Sequence, residues 1–536
     1  MIHLVTQRLR RDAVQLTLWI LGISALAYMG YVAGGETFAT EQDRVSLLAA
    51  AIANPVILLF RGLPSGSSEG ALVIFLILPA TAFLAALMST FLAVRHTRGD
   101  EEAGRAELVA ATPVSRTRPL IATAIHGLAA NLVLALLVSA AFVASGLGVE
   151  GAFIAGFAIG GVGVAFLGVG LLAAQLMRTS RGANAASVWT VTALFFVCGF
   201  GNALGTPSDD LQRMESSWLT WLSPFGWAEN MRAYDENNPW PLLLLLALGL
   251  VLTGVSIVLQ TARDLGEGLV PSRRGRASAG AALGSPLGLV WRLTRGGILG
   301  WIIGGLVVGA MSTSLASVVD EFSAENPAIE QLLSQIAGSA DTEQATVAAF
   351  FTILGVLAAS CAVQIVIRAR QEEAGGTVEP VLSAPVARVR WLSGYVVMAV
   401  IGIALTVGAA IVAAAGGVLA QGSDEGLIRD VLIMGAGQFA AALVFVAIAA
   451  VVFVALPRLT IPLAWSLVLV SLLLGFFGPL FGFPEALVNA SPIAAAPGVA
   501  GDDIDLGGLW WLAPVTVLGI GGALVLMRRR ELAASG

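Results

Sequence analysis

The sequence predicts an all-α polytopic membrane protein of about twelve transmembrane helices in two homologous six-helix halves, and three observations predict it. First, 57% of the 536 residues are hydrophobic and only 12% are charged, about half the charged share of a soluble domain, and the mean hydropathy is +0.86. Second, apolar runs of the roughly 20 residues needed to cross a hydrocarbon core can be placed twelve times. Third, a charged segment occurs twice, as EEAGRAELVAATPVSRTR at 101–118 and as EEAGGTVEPVLSAPVARVR at 372–390. With one extra residue after the glycine of the second copy, Glu101, Glu102, Gly104, Glu107, Pro113, Val114 and Arg116 meet Glu372, Glu373, Gly375, Glu379, Pro385, Val386 and Arg388. A match of that density marks a tandem duplication.

In chain order, the first span is placed at 14–34, after Arg8-Leu9-Arg10-Arg11. No small-residue cleavage pattern follows it, and Arg292-Leu293-Thr294-Arg295 echoes its leader, so it is expected to stay in the mature protein. The next five spans are placed at 71–94, 119–146, 151–177, 184–204 and 240–262. Residues 263–296 mix Gly, Ser, Pro and Arg with no apolar period and read as a solvated linker between halves 1–262 and 297–536. Its Arg273, Arg274 and Arg276 either touch anionic headgroups or only fix topology. Spans seven to twelve are placed at 297–318, 345–367, 391–419, 431–456, 461–482 and 508–527.

Arginine sets the sidedness. It gathers before the first span, between spans two and three, at Arg178 and Arg181, in the linker, between spans eight and nine, at Arg458 and at Arg528–Arg530. Those loops are therefore expected to be cytoplasmic, with both termini inside. The opposite loops carry acids, including Asp209, Asp210, Glu215, Asp235 and Glu236, then Glu325, Glu330, Asp341 and Glu343, then Asp502, Asp503 and Asp505. The formal charge of −6 is thus an outward acidic face offsetting an inward basic one.

Several function classes are excluded. All 29 of the Lys+Arg total are arginines, so no phosphate-binding GxxxxGK[ST] loop exists and the chain is not expected to hydrolyse ATP by itself. Carboxylates are expected to be absent from the middle of every span, which weighs against an ion-coupled transporter. His126, in the third span, is either a proton or substrate site or an interhelical hydrogen-bond partner. His3, His96 and His126 are placed at unrelated depths, so no metal set and no catalytic constellation is expected. Cys198 and Cys361 fall inside spans and read as buried thiols. No nucleic-acid partner is expected.

Energy for transport would then come from a partner, and the repeated segment is the candidate docking surface. Arg98 with Glu102 and Arg368 with Glu372 would form i, i+4 pairs carrying each helix beyond the membrane. Gly104 and Gly375-Gly376 would break it, a short amphipathic piece follows, and Pro113-Val114 or Pro385-Val386 turns the chain back. Apolar residues flanked by acids on a stiff stalk suit a groove on a soluble protein; the alternative is a charged loop kept for topology.

These residues carry a resemblance. The EE-x-G…E…PV-x-R pattern, the twelve-span length and the duplication resemble the fused permeases of ABC-2-type exporters (type V exporter-like), in particular the actinobacterial polyketide-antibiotic, tetronasin-type subfamily. An arginine-bearing elbow before spans one and seven belongs to the resemblance. So do the Ser-Pro elements at Leu222-Ser223-Pro224-Phe225 and Ala490-Ser491-Pro492-Ile493, and Ala262-Arg263-Asp264-Leu265-Gly266 after span six. It implies an ATP-driven efflux permease in the plasma membrane of a bacterium, with Glu101, Glu102, Gly104, Glu107, Pro113, Val114 and Arg116 in one coupling element. Glu372, Glu373, Gly375, Glu379, Pro385, Val386 and Arg388 would form the other. Each element would meet one of two cytoplasmic ATPase subunits, where ATP and Mg would be held, no cofactor being expected in this chain. Glu379 is followed by Pro380 where the first copy has Leu108, so the second coupling helix is expected to differ in shape.

The loop between spans five and six carries Trp218, Trp221, Phe225, Trp227 and Tyr234. The i, i+3, i+7 spacing of its aromatics at 218, 221 and 225 is helical, so it reads as an interfacial helix, either an exit gate with Ser223 and Pro224, as the resemblance implies, or an ordinary aromatic belt. Phe195, Phe196, Phe200, Phe350, Phe351, Phe476 and Phe477 are pathway-lining by analogy or else packed against neighbours, and an apolar aromatic conduit suits lipophilic or amphipathic cargo. The rival readings are a proton-coupled twelve-span efflux transporter and a non-transporting membrane scaffold.

Overall fold

A computed structural model describes residues 2–38, 40–53, 55–270, 278, 280, 284–323, 342–421, 426–477, 484–501 and 503–531. Arg273, Arg274, Arg276, Glu325, Glu330, Asp341 and Asp502 lie outside the described residues. The chain divides into two compact units, Met1–Arg274 and Gly275–Gly536. Among the described residues, twelve helices are long and apolar enough to cross a membrane. Lipid offers no hydrogen-bond partner, so a spanning segment must satisfy its backbone within itself, as an α-helix does.

The first unit runs α1 (Ile2–Thr37), α2 (Glu41–Ala53), α3 (Pro55–Arg61), α4 (Glu69–Arg95), α5 (Arg98–Glu102) and α6 (Arg105–Ala110), then α7 (Arg118–Ala144), α8 (Val149–Leu176), α9 (Ser180–Ala203), α10 (Pro224–Glu229) and α11 (Trp240–Ala262). Helix starts follow capping chemistry: the Ser68 hydroxyl accepts from the Ala71 N–H ahead of α4, and Thr179 accepts from the Gly182 N–H ahead of α9. The deeply buried α8 packs against α4, α7 and α11. Its glycines permit that approach: a Cβ on Gly160 would stand 2.8 Å from the Asn131 carbonyl, and one on Gly163 would stand 1.8 Å from Asn131 Oδ1. Asn131, on α7, then donates to Ser89 Oγ at 2.9 Å and to the Gly127 carbonyl at 2.9 Å, tying α7 to α4.

The second unit runs α12 (Pro286–Ser323), α13 (Thr342–Ala374), α14 (Glu379–Leu382), α15 (Arg388–Gln421), α16 (Gly426–Ala455), α17 (Thr460–Leu472), α18 (Glu485–Val488) and α19 (Leu509–Met527). Here α16 takes the central place, against α13, α15, α17 and α19. A π-helical turn, Leu473–Phe477, extends α17.

The spans match expectation except where polar residues continue a helix. α1 and α12 each begin about three turns before the predicted span, because Arg8–Asp12 and Arg292–Arg295 are helix formers that hydropathy discounts. α12 thus starts inside the segment read as linker, and the arginine-bearing elbows are continuous with their spans rather than bent from them. α2 and α3, between spans one and two, were not anticipated. α3 packs against α9, with Phe60 edge-on to Phe196 at 6.0 Å, and α2 packs against α3; Leu58 of α3 is buried with Leu63 and Met214 of the following loops.

Candidate functional site

The first repeat element is a short stalk locked by charge. Arg98, 1% exposed, donates through Nη2 to the carbonyls of Ala174 at 2.8 Å and Glu267 at 3.0 Å, and through Nη1 to Glu101 at 2.8 Å. Glu101 also takes both terminal nitrogens of Arg263, with Nη1 at 3.0 Å, and Arg263 reaches back through Nε to Gln175 at 2.6 Å. The end of α4 is therefore clasped to the ends of α8 and α11. Arg98 pairs with Glu101 at i, i+3 rather than with Glu102, which instead accepts from the Ser180 N–H at 2.8 Å at the start of α9. Asp100 binds Arg11 at 2.7 Å and Arg105 at 2.8 Å. Gly104, at φ +71°, provides the expected break, since a left-handed backbone carries little cost only without a Cβ. Beyond it α6 presents Glu107 and a 74% exposed Leu108, with Pro113 and Arg116 exposed and Val114 half-buried.

The second element repeats the plan with different partners. Arg368 pairs with Glu372 at i, i+4 as expected. Glu373, fully buried, binds Arg530 at 2.7 Å and Arg370 at 3.7 Å, while the Arg530 guanidinium stacks 4.6 Å above the Phe453 ring. The break falls at Gly376, φ +69°, rather than at Gly375. Pro380 is accommodated in the first turn of α14, where its missing N–H costs nothing. Glu379 and Pro385 are exposed, Val386 is half-buried, and Arg388 is exposed and donates to the Arg530 carbonyl. Each half thus anchors its element to an arginine that follows its last span. The first half uses the leading glutamate of the pair and the second half the trailing one. Glu101 and Glu373 are thus taken up in internal clasps, while Glu102 stays exposed beside the tips.

The family described as "Multidrug efflux system permease Rv1217c, C-terminal domain" matches residues 6–259 and 283–528. The multidrug efflux system permease protein Rv1217c of Mycobacterium tuberculosis is 32% identical over 528 residues, covering 98% of this chain and 94% of that protein. The chain belongs to this family of multidrug efflux permeases. It is a multi-pass cell-membrane protein and a transport subunit.

The loop between spans five and six of this permease differs from the expected single interfacial helix. A 3-10 turn, Thr220–Leu222, stops at Ser223-Pro224, and α10 starts anew from Ser223, whose oxygen accepts from the Phe225 N–H. The break sends the aromatics apart. Phe225 is buried against Phe83, Phe166 and Phe195, whereas Trp218 and Trp221 stay exposed and Trp227 is half-buried, donating to the Trp221 carbonyl at 2.7 Å. Tyr234 wedges between α4 and α8 where Gly70 and Gly151 leave room: a Cβ on either would lie within 2.4 Å of its ring. The Ser-Pro serines do one job twice. Ser223 Oγ donates to the Leu194 carbonyl of α9 at 2.7 Å, and Ser491 Oγ donates to the Ser471 carbonyl of α17 at 2.9 Å. Beside Ser223 lies buried Glu229, which accepts from Asn202 at 2.7 Å and Cys198 at 3.4 Å. Burial pushes its carboxyl up to about 7.

The candidate pathway phenylalanines divide. Phe195 joins the aromatic core of the first unit, Phe196 bridges Phe60 and Phe200, and Phe200 is exposed. Phe351 is buried in the core of the second unit, which corrects its placement on a pathway wall; Phe350 and Phe476 are half-buried, and the side chain of Phe477 lies outside the described residues. The histidine reading also needs correction. His96 and His126 are not at unrelated depths: their rings lie 5.5 Å apart, and both meet Asp12 on α1. His126 is an interhelical hydrogen-bond partner, and Asp12 is a buried carboxylate within a helix that spans. Sequence reading missed the cluster because Asp12 precedes the apolar run and the three residues come from three separate stretches of chain: α1, the turn after α4, and α7.

Proposed function

We propose that this permease is the membrane subunit of an ATP-driven exporter whose two repeat elements each engage one cytoplasmic ATPase subunit, with the arginine-rich loops and both termini on the cytoplasmic side. The observation that carries the reading is the exposed tip on a charge-locked stalk, with Leu108 74% exposed at the first element and Glu379 and Pro380 exposed at the second. An exposed leucine flanked by Glu107 and mounted on a rigid frame fits a groove on a soluble partner. ATP-driven closure of the partners would push on both stalks and switch the access of the transport pathway. Lipophilic or amphipathic compounds are the proposed cargo, supported by the relative's designation as a multidrug efflux permease. The polyketide-antibiotic exporter subfamily is the finer assignment, supported by Arg263 at the head of the Arg-Asp-Leu-Gly segment.

The test is purification from native membranes in mild detergent, asking whether a Walker-type ATPase accompanies the permease. Its loss on Leu108→Asp with Glu107→Arg, in protein that still purifies as a single folded species, would locate docking at the tip. A permease that purifies alone, with efflux that collapses when the proton gradient is dissipated, would overturn the reading in favour of a proton-coupled transporter.

A further inference from the structure

We propose that Asp12, His96 and His126 form a three-ligand site for a divalent transition-metal ion of the zinc class, inside the first unit and apart from the repeat tips. The three side chains come from α1, from the turn after α4 and from α7, and all are buried, the two imidazoles completely. Their candidate ligand atoms lie within 4.8 Å of one another. Both imidazoles aim Nε2 at one carboxylate oxygen, Asp12 Oδ2, and the His126 Nε2 to Oδ2 separation is 3.4 Å. Ligands at zinc distances of about 2.0–2.1 Å in a tetrahedral set stand about 3.3 Å apart. The His126–Asp12 separation is therefore that of two ligands in one shell, whereas His96 hydrogen-bonds Asp12 directly and the two would part to admit the ion; two imidazoles with one carboxylate are a zinc-type donor set.

The surroundings support the same conclusion. Arg95 Nε holds the other carboxylate oxygen, Oδ1, at 3.3 Å, which leaves Oδ2 free to point at the imidazoles. Asp100 Oδ2 lies 3.9 Å from Nδ1 of His96. When a neutral His96 uses its only N–H on Asp12, its bare Nδ1 lone pair faces that carboxylate, an unfavourable pairing. Once Nε2 is a metal ligand the ring proton sits on Nδ1, on the side of Asp100, which removes that repulsion and would let the carboxylate close in as a support for the ligand. A cavity of about 470 Å³, lined by His96 and Asp100 together with Arg8, Arg11, Arg105, Arg116 and Arg263, lies beside the cluster.

The duplication supplies an internal control. Through the repeat, Asp12 corresponds to Gly296, His96 to Ile367 and His126 to Met398, so all three donors are absent from the second half together. Ile367 and Met398 are buried in an apolar core there. The fold is thus built at these positions without polar groups, and helix packing does not account for the set in the first half.

The experiment uses the full-length permease without a polyhistidine tag, purified in detergent, stripped with chelator and titrated with Zn²⁺, then with Co²⁺ while its visible absorption is recorded. About one Zn²⁺ per chain is expected, with an intense Co²⁺ band of low coordination number. His96→Ala or His126→Ala should abolish both, and Asp100→Asn should weaken Zn²⁺ binding about 10–100-fold. His3→Ala, away from the site, should change nothing. The triple variant Asp12→Gly with His96→Ile and His126→Met carries the second half's own residues and guards against loss of fold. Zn²⁺ uptake by wild type no greater than by this triple variant, or uptake abolished by His3→Ala, would overturn the proposal.

Discussion

Glu101 carries more of the first repeat element than Glu102, although the sequence presents them as a pair. Its carboxylate is 6% exposed and joins Arg98 and Arg263, so Glu101→Ala leaves two buried guanidiniums without their counter-ion. Breaking a buried pair in this way costs about 3 kcal/mol or more, and thermal unfolding in detergent should show it. Glu102→Ala, at an exposed position, should stay within about 0.5 kcal/mol of wild type. A second residue-scale expectation concerns helix contact. Gly163→Ala would drive a methyl group onto Asn131, and overpacking of this kind costs about 1–3 kcal/mol. Neither effect was legible in the sequence. The positions of Glu101 and Gly163 could be read, but Arg263 and Asn131 reach them from elements remote in the chain.

At the scale of elements, the spans were legible because hydropathy measures the one property that lipid demands of them. Their ends were not, since α1, α12 and α13 run on through charged residues once the backbone has left the hydrocarbon. The two elements were legible as repeats, but the division of labour within them was not: Glu101 and Glu373 face inward, Leu108 faces outward at the first, and Val381 and Leu382 pack half-buried at the second. The loop between spans five and six was misread because a helical spacing of aromatics was interrupted by Pro224, which restarts the helix and turns Phe225 inward. That loop carries a pH prediction. Glu229 has a folded-state value of about 7 against the ordinary 4.5, so its contribution to stability is full below pH 4.5 and is lost as pH rises through 7. The difference corresponds to roughly 3 kcal/mol. Melting temperatures measured from pH 5 to pH 8 should fall for wild type and stay nearly flat for Glu229→Gln.

For the whole molecule, the duplication produced two units with one plan and unequal details. Serine latches, glycine breaks and post-span arginines recur, whereas the Asp12 cluster, the aromatic loop between spans five and six and the choice of anchoring glutamate do not. The chain divides at Arg274–Gly275 into units that each hold their own core. Two co-expressed polypeptides cut at that point should therefore both insert and restore efflux, measured as drug resistance of the host; failure of either half to accumulate would show that the units depend on covalent connection. The clasps also order events in time. Glu101 waits 162 residues for Arg263, and Glu373 waits 157 for Arg530. At a synthesis rate of about 5–20 residues per second, each wait lasts roughly 8–30 seconds. Each stalk is thus completed only after the last span of its half has emerged, so the partner proposed above, if it recognises the finished stalk, would assemble only onto halves already fully made.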